Sequence, residues 1–207
     1  MIFWHKNIKA KGFTLVEIMV VISLFAIAAS TLAGFGYKKN QIKYTLLSDS
    51  ESLAFAIRDM QNRTSSFISS EAFPNSGYGA FLNLSNPSQI EFFYKNTSQS
   101  FSDTELPSFS SQKPEEDLFF NSGNKISKIC LNNCGTVVDK LAIYFVKPKP
   151  YAYFSYLKQD GSYSSIIGQD TPINNVCIEV GGGDGIEKRR IEVYYIGQIS
   201  FSYGECQ

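Results

Sequence analysis

"KGFTLVEIMVVISLFAIAAS", Lys11–Ser30, governs how the rest of this chain is read. From Ile18 to Tyr37 no residue carries a charge, so twenty consecutive positions are compatible with hydrocarbon. A helix crossing a bilayer core takes about twenty predominantly apolar residues. Glu17 stands immediately before that run, at the edge of a membrane span or inside it, where a carboxylate is costly and usually functional. The plainest account of it is a side chain that snorkels to the headgroups from a helix end.

The twelve residues upstream, MIFWHKNIKAKG, carry Lys6, Lys9 and Lys11 and no acid. A basic leader before an apolar segment reads as a targeting element, and the positive-inside tendency puts this end in the cytoplasm. Three fates are open to it. A secretory signal peptide is cut after the apolar run, around "AIAAS" or "STLAG"; a simple anchor is not cut at all; a cut after Gly12 keeps the apolar helix in the product.

Charge is balanced over the 207 residues, with 19 basic against 19 acidic, but unevenly spread. Residues 1–70 hold eight Lys/Arg and four Asp/Glu, and the remainder holds eleven against fifteen. A net acidic body is not an obvious nucleic-acid binder. With 17 Phe and 12 Tyr against one Trp, the body favours sheet over a helical bundle. The single histidine is His5, inside the leader, so the body has no Cys-His or Ser-His pair and no catalytic set is read; a non-enzyme is expected.

Past the apolar run, Gly34 and Gly36 are places where a helix loosens, and "YKK" at 37–39 marks a membrane interface. Ile42, Leu46, Leu53, Ile57, Met60 and Phe67 then recur at helical spacing, with Asp49, Glu51, Arg58, Asp59 and Arg63 mostly off the stripe. Pro74 and Gly77 act as breakers. A helix over 13–70 is expected, roughly 85 Å long at 1.5 Å per residue. Its first half suits a membrane, and its second half suits packing on a globular head.

From about residue 71 the signals are those of strands. "GYGAFLNL" (77–84) and "QIEFFYK" (89–95) flank the turn cluster "SNPS", and the serine-rich stretch 96–117 reads as a long exposed loop. "KISKICLNN", "VVDKLAIYFVK" and "YAYFSYL" follow. "NNVCIEV" and "RRIEVYYIGQISF" are the clearest strands, parted by "GGGDG". The expected fold class is α+β: a long N-terminal helix, transmembrane in its first half, packed on an antiparallel sheet or small sandwich.

Four cysteines, Cys130, Cys134, Cys177 and Cys206, all lie in this body. An extracytoplasmic location permits disulfides, and four cysteines allow three pairings. Cys130 with Cys134, closing "CLNNC", and Cys177 with Cys206, tying back the final strand, is the favoured one. Zinc is the alternative, though Cys-x₃-Cys with two distant single cysteines is not a usual ribbon spacing. "GGGDG" (181–185) shares only glycines with a phosphate loop and fits a hairpin turn. Asp184 with Asp170 or Asp160 offers calcium ligands without an EF-hand run. In "EKRR", Lys188, Arg189 and Arg190 offer DNA phosphates a contact, against the commoner reading of a charged, solvated strand edge. The aromatics of "YAYFSY" suit either a sugar platform or a sheet core, and the core accounts for them more simply.

"GFTLVE" resembles the class III signal of type IV prepilins and pseudopilins: a short basic leader, Gly before the cut, Phe first in the product, then Thr-Leu-Val-Glu and an apolar run. The resemblance implies that a membrane prepilin peptidase cuts between Gly12 and Phe13 and that Phe13 is N-methylated; no cofactor is expected. It implies that Glu17 guides assembly by pairing with the new N-terminus of a neighbouring subunit, which offsets the cost of burying the carboxylate. The implied partners are other pilin or pseudopilin subunits, the inner-membrane assembly platform and, before assembly, membrane lipid. The chain then divides into a leader (1–12), a transmembrane and filament-core helix (13–37), an amphipathic continuation (38–70) and an extracytoplasmic β-rich head (71–207). It would pass once through the cytoplasmic membrane and end in a pilus or pseudopilus at the cell surface. "SLAFAIRDMQNR" and the closing strands around "Gly-Gln-Ile" are also similar to GspH/FimT-type minor pseudopilins. The competing expectation is an uncleaved, membrane-anchored module that binds DNA, as in competence, or surface glycan.

Overall fold

The computed structural model describes residues 14–66, 77–95, 113–114, 117–120, 123–146, 151–158, 163–165 and 173–207. Within these, the structure describes the backbone alone at 32–39, 66, 95, 113–114, 146, 158 and 163–165. Helix α1 runs Leu15–Ser66, and the chain divides into two compact units, 1–41 and 42–207.

In the second unit the stripe seen in the sequence faces inward. Leu46, Leu53, Ala54, Ile57 and Met60 are buried, while Ile42 is half-buried and Phe67 lies outside the described residues. Asp49 departs from the expected polar face. It is 5% exposed, and Asn124 Nδ2 donates to its Oδ2 at 2.7 Å, so a hydrogen bond satisfies a carboxylate on the packed side.

The strands are β1 (Gly77–Asn83), β2 (Gln89–Lys95), β3 (Lys113–Pro114), β4 (Leu118–Phe119), β5 (Lys125–Leu131), β6 (Thr136–Val146), β7 (Ala152–Lys158), β8 (Tyr163–Ser165), β9 (Asn175–Gly181), β10 (Lys188–Tyr194) and β11 (Ile199–Tyr203). Among the described residues they form one antiparallel sheet in the order β11-β10-β9-β5-β6-β1-β2-β3, with β4 on β2, β7 on β6 and β8 on β7. The fold is therefore α+β. The short strands β3 and β4 fall partly in or just past the stretch expected to be loop, and two-residue pairings leave no periodic signal to read.

β6 joins the two halves of the sheet. Its first residues, Thr136 and Val137, pair with Leu131 and Cys130 of β5. Its remainder pairs with β1 and β7, with Lys140 opposite both Asn83 and Leu157. Leu141, Ile143 and Phe145 of β6 share one core with the helix stripe and with Ile126, Ile129, Val176, Ile178, Ile191 and Val193. Ala142 and Tyr144 on its other face join Phe81 and Phe93 in a second, smaller cluster. Gly79 in β1 is needed for close approach: a Cβ there would lie 2.7 Å from the carbonyl oxygen of Ile143, against the ring of Phe93.

The run "RRIEVYYIGQISF" divides in two. Gly197 takes φ 87°, its N–H donates to Tyr194 O at 2.8 Å, and Tyr194 N–H donates to Gln198 O at 2.8 Å. A tight hairpin thus turns the chain back at "YIGQ", as the positive φ of glycine allows.

Candidate functional site

α1 opens with a reciprocal cap. Thr14 Oγ1 accepts from the Glu17 N–H at 3.2 Å, while Glu17 Oε2 accepts from the Thr14 N–H and the Thr14 hydroxyl, both at 3.0 Å. This is a capping box, which satisfies donors that every helix start leaves without an intrahelical partner. It also sets a carboxylate at the positive end of the helix dipole. The pattern Thr-x-x-Glu in "TLVE" is its sequence signal, one that a purely membrane-based account of Glu17 passes over.

Beyond the cap, apolar side chains point outward on every side. Leu15, Val16, Ile18, Met19, Val20, Val21, Ile22, Leu24, Phe25 and Ile27 are all between 47% and 75% exposed. The Ser23, Ser30 and Thr31 hydroxyls donate back to the carbonyls of Met19, Ile27 and Ala28, so these donors are used within the helix. A continuous apolar surface of this kind marks a membrane or protein contact. Among the described residues no helix is long and apolar enough to cross a membrane, and the described side chains of this stretch end at residue 31. Gly12 and Phe13 lie outside the described residues.

In the second unit, disulfides join Cys130 to Cys134 and Cys177 to Cys206. Asn132, Asn133 and Cys134 have φ of 49°, 53° and 58°, three successive left-handed residues between β5 and β6. An asparagine clamp holds that turn. Asn132 N–H donates to Asn175 O at 2.9 Å, Asn174 N–H to Asn132 Oδ1 at 2.8 Å, and Asn175 Nδ2 to Asn133 Oδ1 at 3.0 Å. Asparagine tolerates the left-handed region, and these bonds offset the strain that remains.

The three cations of "EKRR" do not share a face. Alternation along β10 turns Arg189 inward with Ile191 and Val193, leaving it 4% exposed with its guanidinium over the Tyr203 ring, 3.1 Å from the centroid. Lys188 Nζ bonds Glu205 at 2.9 Å and Glu179 at 3.2 Å, and the Glu205 and Glu179 carboxylates hold its pKa above the usual lysine value. Arg190 Nε donates to Ser202 Oγ at 2.7 Å. Burial pushes the Glu179 carboxyl up, yet bonds from the Ser127 hydroxyl, the Cys206 N–H and Lys188 outweigh it and hold that carboxyl below the ordinary glutamate value.

"GGGDG" is a hairpin turn. Asp184 Oδ1 accepts from the N–H groups of Ile186 and Glu187, and Gly185 takes φ 70°. Asp160 and Asp170 lie outside the described residues. Ala152, Phe154 and Tyr156 of "YAYFSY" belong to the main core, while Tyr151 stacks on Tyr195 and Tyr153 on Tyr144. Packing thus accounts for most of that aromatic run.

Residues 7–33 match the prokaryotic N-terminal methylation motif. Over these residues the chain therefore carries the class III signal found in type IV prepilins and pseudopilins. No curated relative and no solved structure matches it.

Proposed function

We propose that the precursor is cut between Gly12 and Phe13 by a prepilin peptidase and methylated at the new N-terminus. The product is a structural subunit, not an enzyme: a minor pilin or pseudopilin of a type IV pilus or type II secretion-like filament. The helix crosses the cytoplasmic membrane once, N-terminus inside and head outside, until the subunit leaves the lipid. One observation carries this reading: the exposed apolar surface of Leu15–Ile27 starts at the helix end that Thr14 and Glu17 cap, inside the matched motif. Lipid covers that surface before assembly, and neighbouring helices cover it afterwards.

The cap fits the same scheme. In the lone subunit Thr14 occupies Glu17 Oε2, so the carboxylate is not left bare. In the filament the ammonium of a neighbour's Phe13 takes up the charge, and pairing sets the register between subunits. A tethered DNA-binding module has less support, because Arg189 is inward and Lys188 and Arg190 are held within the head.

Intact-mass and N-terminal analysis of the protein from membranes of its own cells is the direct test. A terminus at Phe13 carrying the mass of one methyl group is expected. A chain still beginning at Met1, or one beginning beyond Ser30, would sink the filament reading.

A further inference from the structure

Two disulfides need only two close pairs of sulfurs, and nothing requires the pairs to meet. Here they do. The sulfurs of Cys130, Cys134 and Cys206 all lie within 4.8 Å of one another, and Cys177 is bonded to Cys206. Three separate parts of the head deliver them. The end of β5 supplies Cys130 and the clamped turn after it Cys134. β9 supplies Cys177, directly opposite Cys130 in the ladder. The C-terminal tail supplies Cys206, held by its N–H on buried Glu179 and its carbonyl 3.4 Å from Lys128 Nζ. Cys130, Cys177 and Cys206 are buried, and Cys134 packs against them.

We propose that, when both disulfides are reduced, these four sulfurs form a tetrahedral thiolate site for Zn²⁺. Thiolates about 2.3 Å from zinc stand about 3.8 Å from each other, and Cys-x₃-Cys is within the usual range for a ligand pair on one turn. Three of the sulfurs already lie within 4.8 Å of one another, close to that separation. The chemistry balances. A dithiol reductant gives two electrons and two protons to each disulfide and becomes a disulfide itself, leaving four thiols. Zinc binding then releases four protons, and Lys128 beside the tail offsets part of the site's negative charge. The sequence spacing hid this site because β9 and the tail bring the two distant cysteines to the turn only in the folded head. The site would hold the tail in place wherever the thiols stay reduced.

The test uses the full chain in detergent, reduced under anaerobic conditions and titrated with Co²⁺ as an optical probe for Zn²⁺. One Co²⁺ per chain is expected, with the intense visible bands of a tetrahedral tetrathiolate, displaced by Zn²⁺. The oxidised chain should show none. Cys177→Ser and Cys134→Ser should each lose the four-sulfur spectrum. Should the variants fail to fold, alkylation of the wild-type zinc form decides: all four thiols protected supports the site, and fewer than four overturns it. A reduced chain lacking the tetrahedral bands, folded or not, overturns it as well, as does a spectrum unchanged by either substitution.

Discussion

The two ends of α1 are both rich in apolar residues, yet they are built for different surroundings. Over Leu15–Ile27 the apolar side chains go all the way round the helix and none is buried by this chain. Past Ile42 they narrow to a stripe, and Leu46, Leu53, Ile57 and Met60 disappear under the sheet. A stripe is satisfied by one packed face, whereas a helix that is apolar all round needs lipid or other helices. Helical periodicity therefore tells which half is completed within the chain and which must be completed by a membrane or another subunit.

Matched substitutions break or sharpen that contrast. The largest effect is expected at the stripe: Leu53→Ala leaves a cavity in a fully buried site and should cost about 2–5 kcal/mol. Leu24→Ala, 62% exposed, should leave head unfolding within about 0.5 kcal/mol while weakening recovery in filaments. Thermal unfolding of the full chain in detergent reads the first quantity, and sheared-filament yield reads the second. Equal destabilisation by both changes would dissolve the distinction.

A smaller effect comes from pH and belongs to the head. The Glu179 carboxyl is held below its ordinary value, so its contribution is fully present above the unfolded pKa. It is lost as pH falls through the lower folded one. Melting temperature should therefore drop on acidification below the ordinary glutamate range, and Glu179→Gln should flatten that drop. An acid limb of the same steepness in the variant would remove Glu179 from the account. The smallest effect is expected at Lys43, on the helix just inside the second unit, whose Nζ lies 3.1 Å from Glu187 Oε1 with both partners partly exposed. Lys43→Ala should cost less than about 1 kcal/mol in a denaturant titration, and less still at high salt.

Much of this was legible beforehand because it is local. The hydrophobic period of α1, seven of the strands, the hairpin glycines of "GGGDG" and the class III signal each occupy a few consecutive residues whose pattern states their environment. Two features were not legible in that way. Asp49 looks solvent-facing until Asn124 arrives from the other side of the core to bond it. "EKRR" looks like one basic patch until β pairing alternates its members between two faces. The Thr14–Glu17 cap, by contrast, is local, and "TLVE" carries its signal.

By itself, then, the sequence determined that an apolar helix follows a basic segment and leads into a β-rich body. Those properties follow from runs and periods along one chain. Only the tertiary structure decided that β6 unites the strands into a single sheet and that Arg189 is inward. It alone decided that four cysteines scattered over seventy-seven residues meet at one place. Pairing register and chain reversal set those distances, and neither is written in the spacing of the residues they bring together.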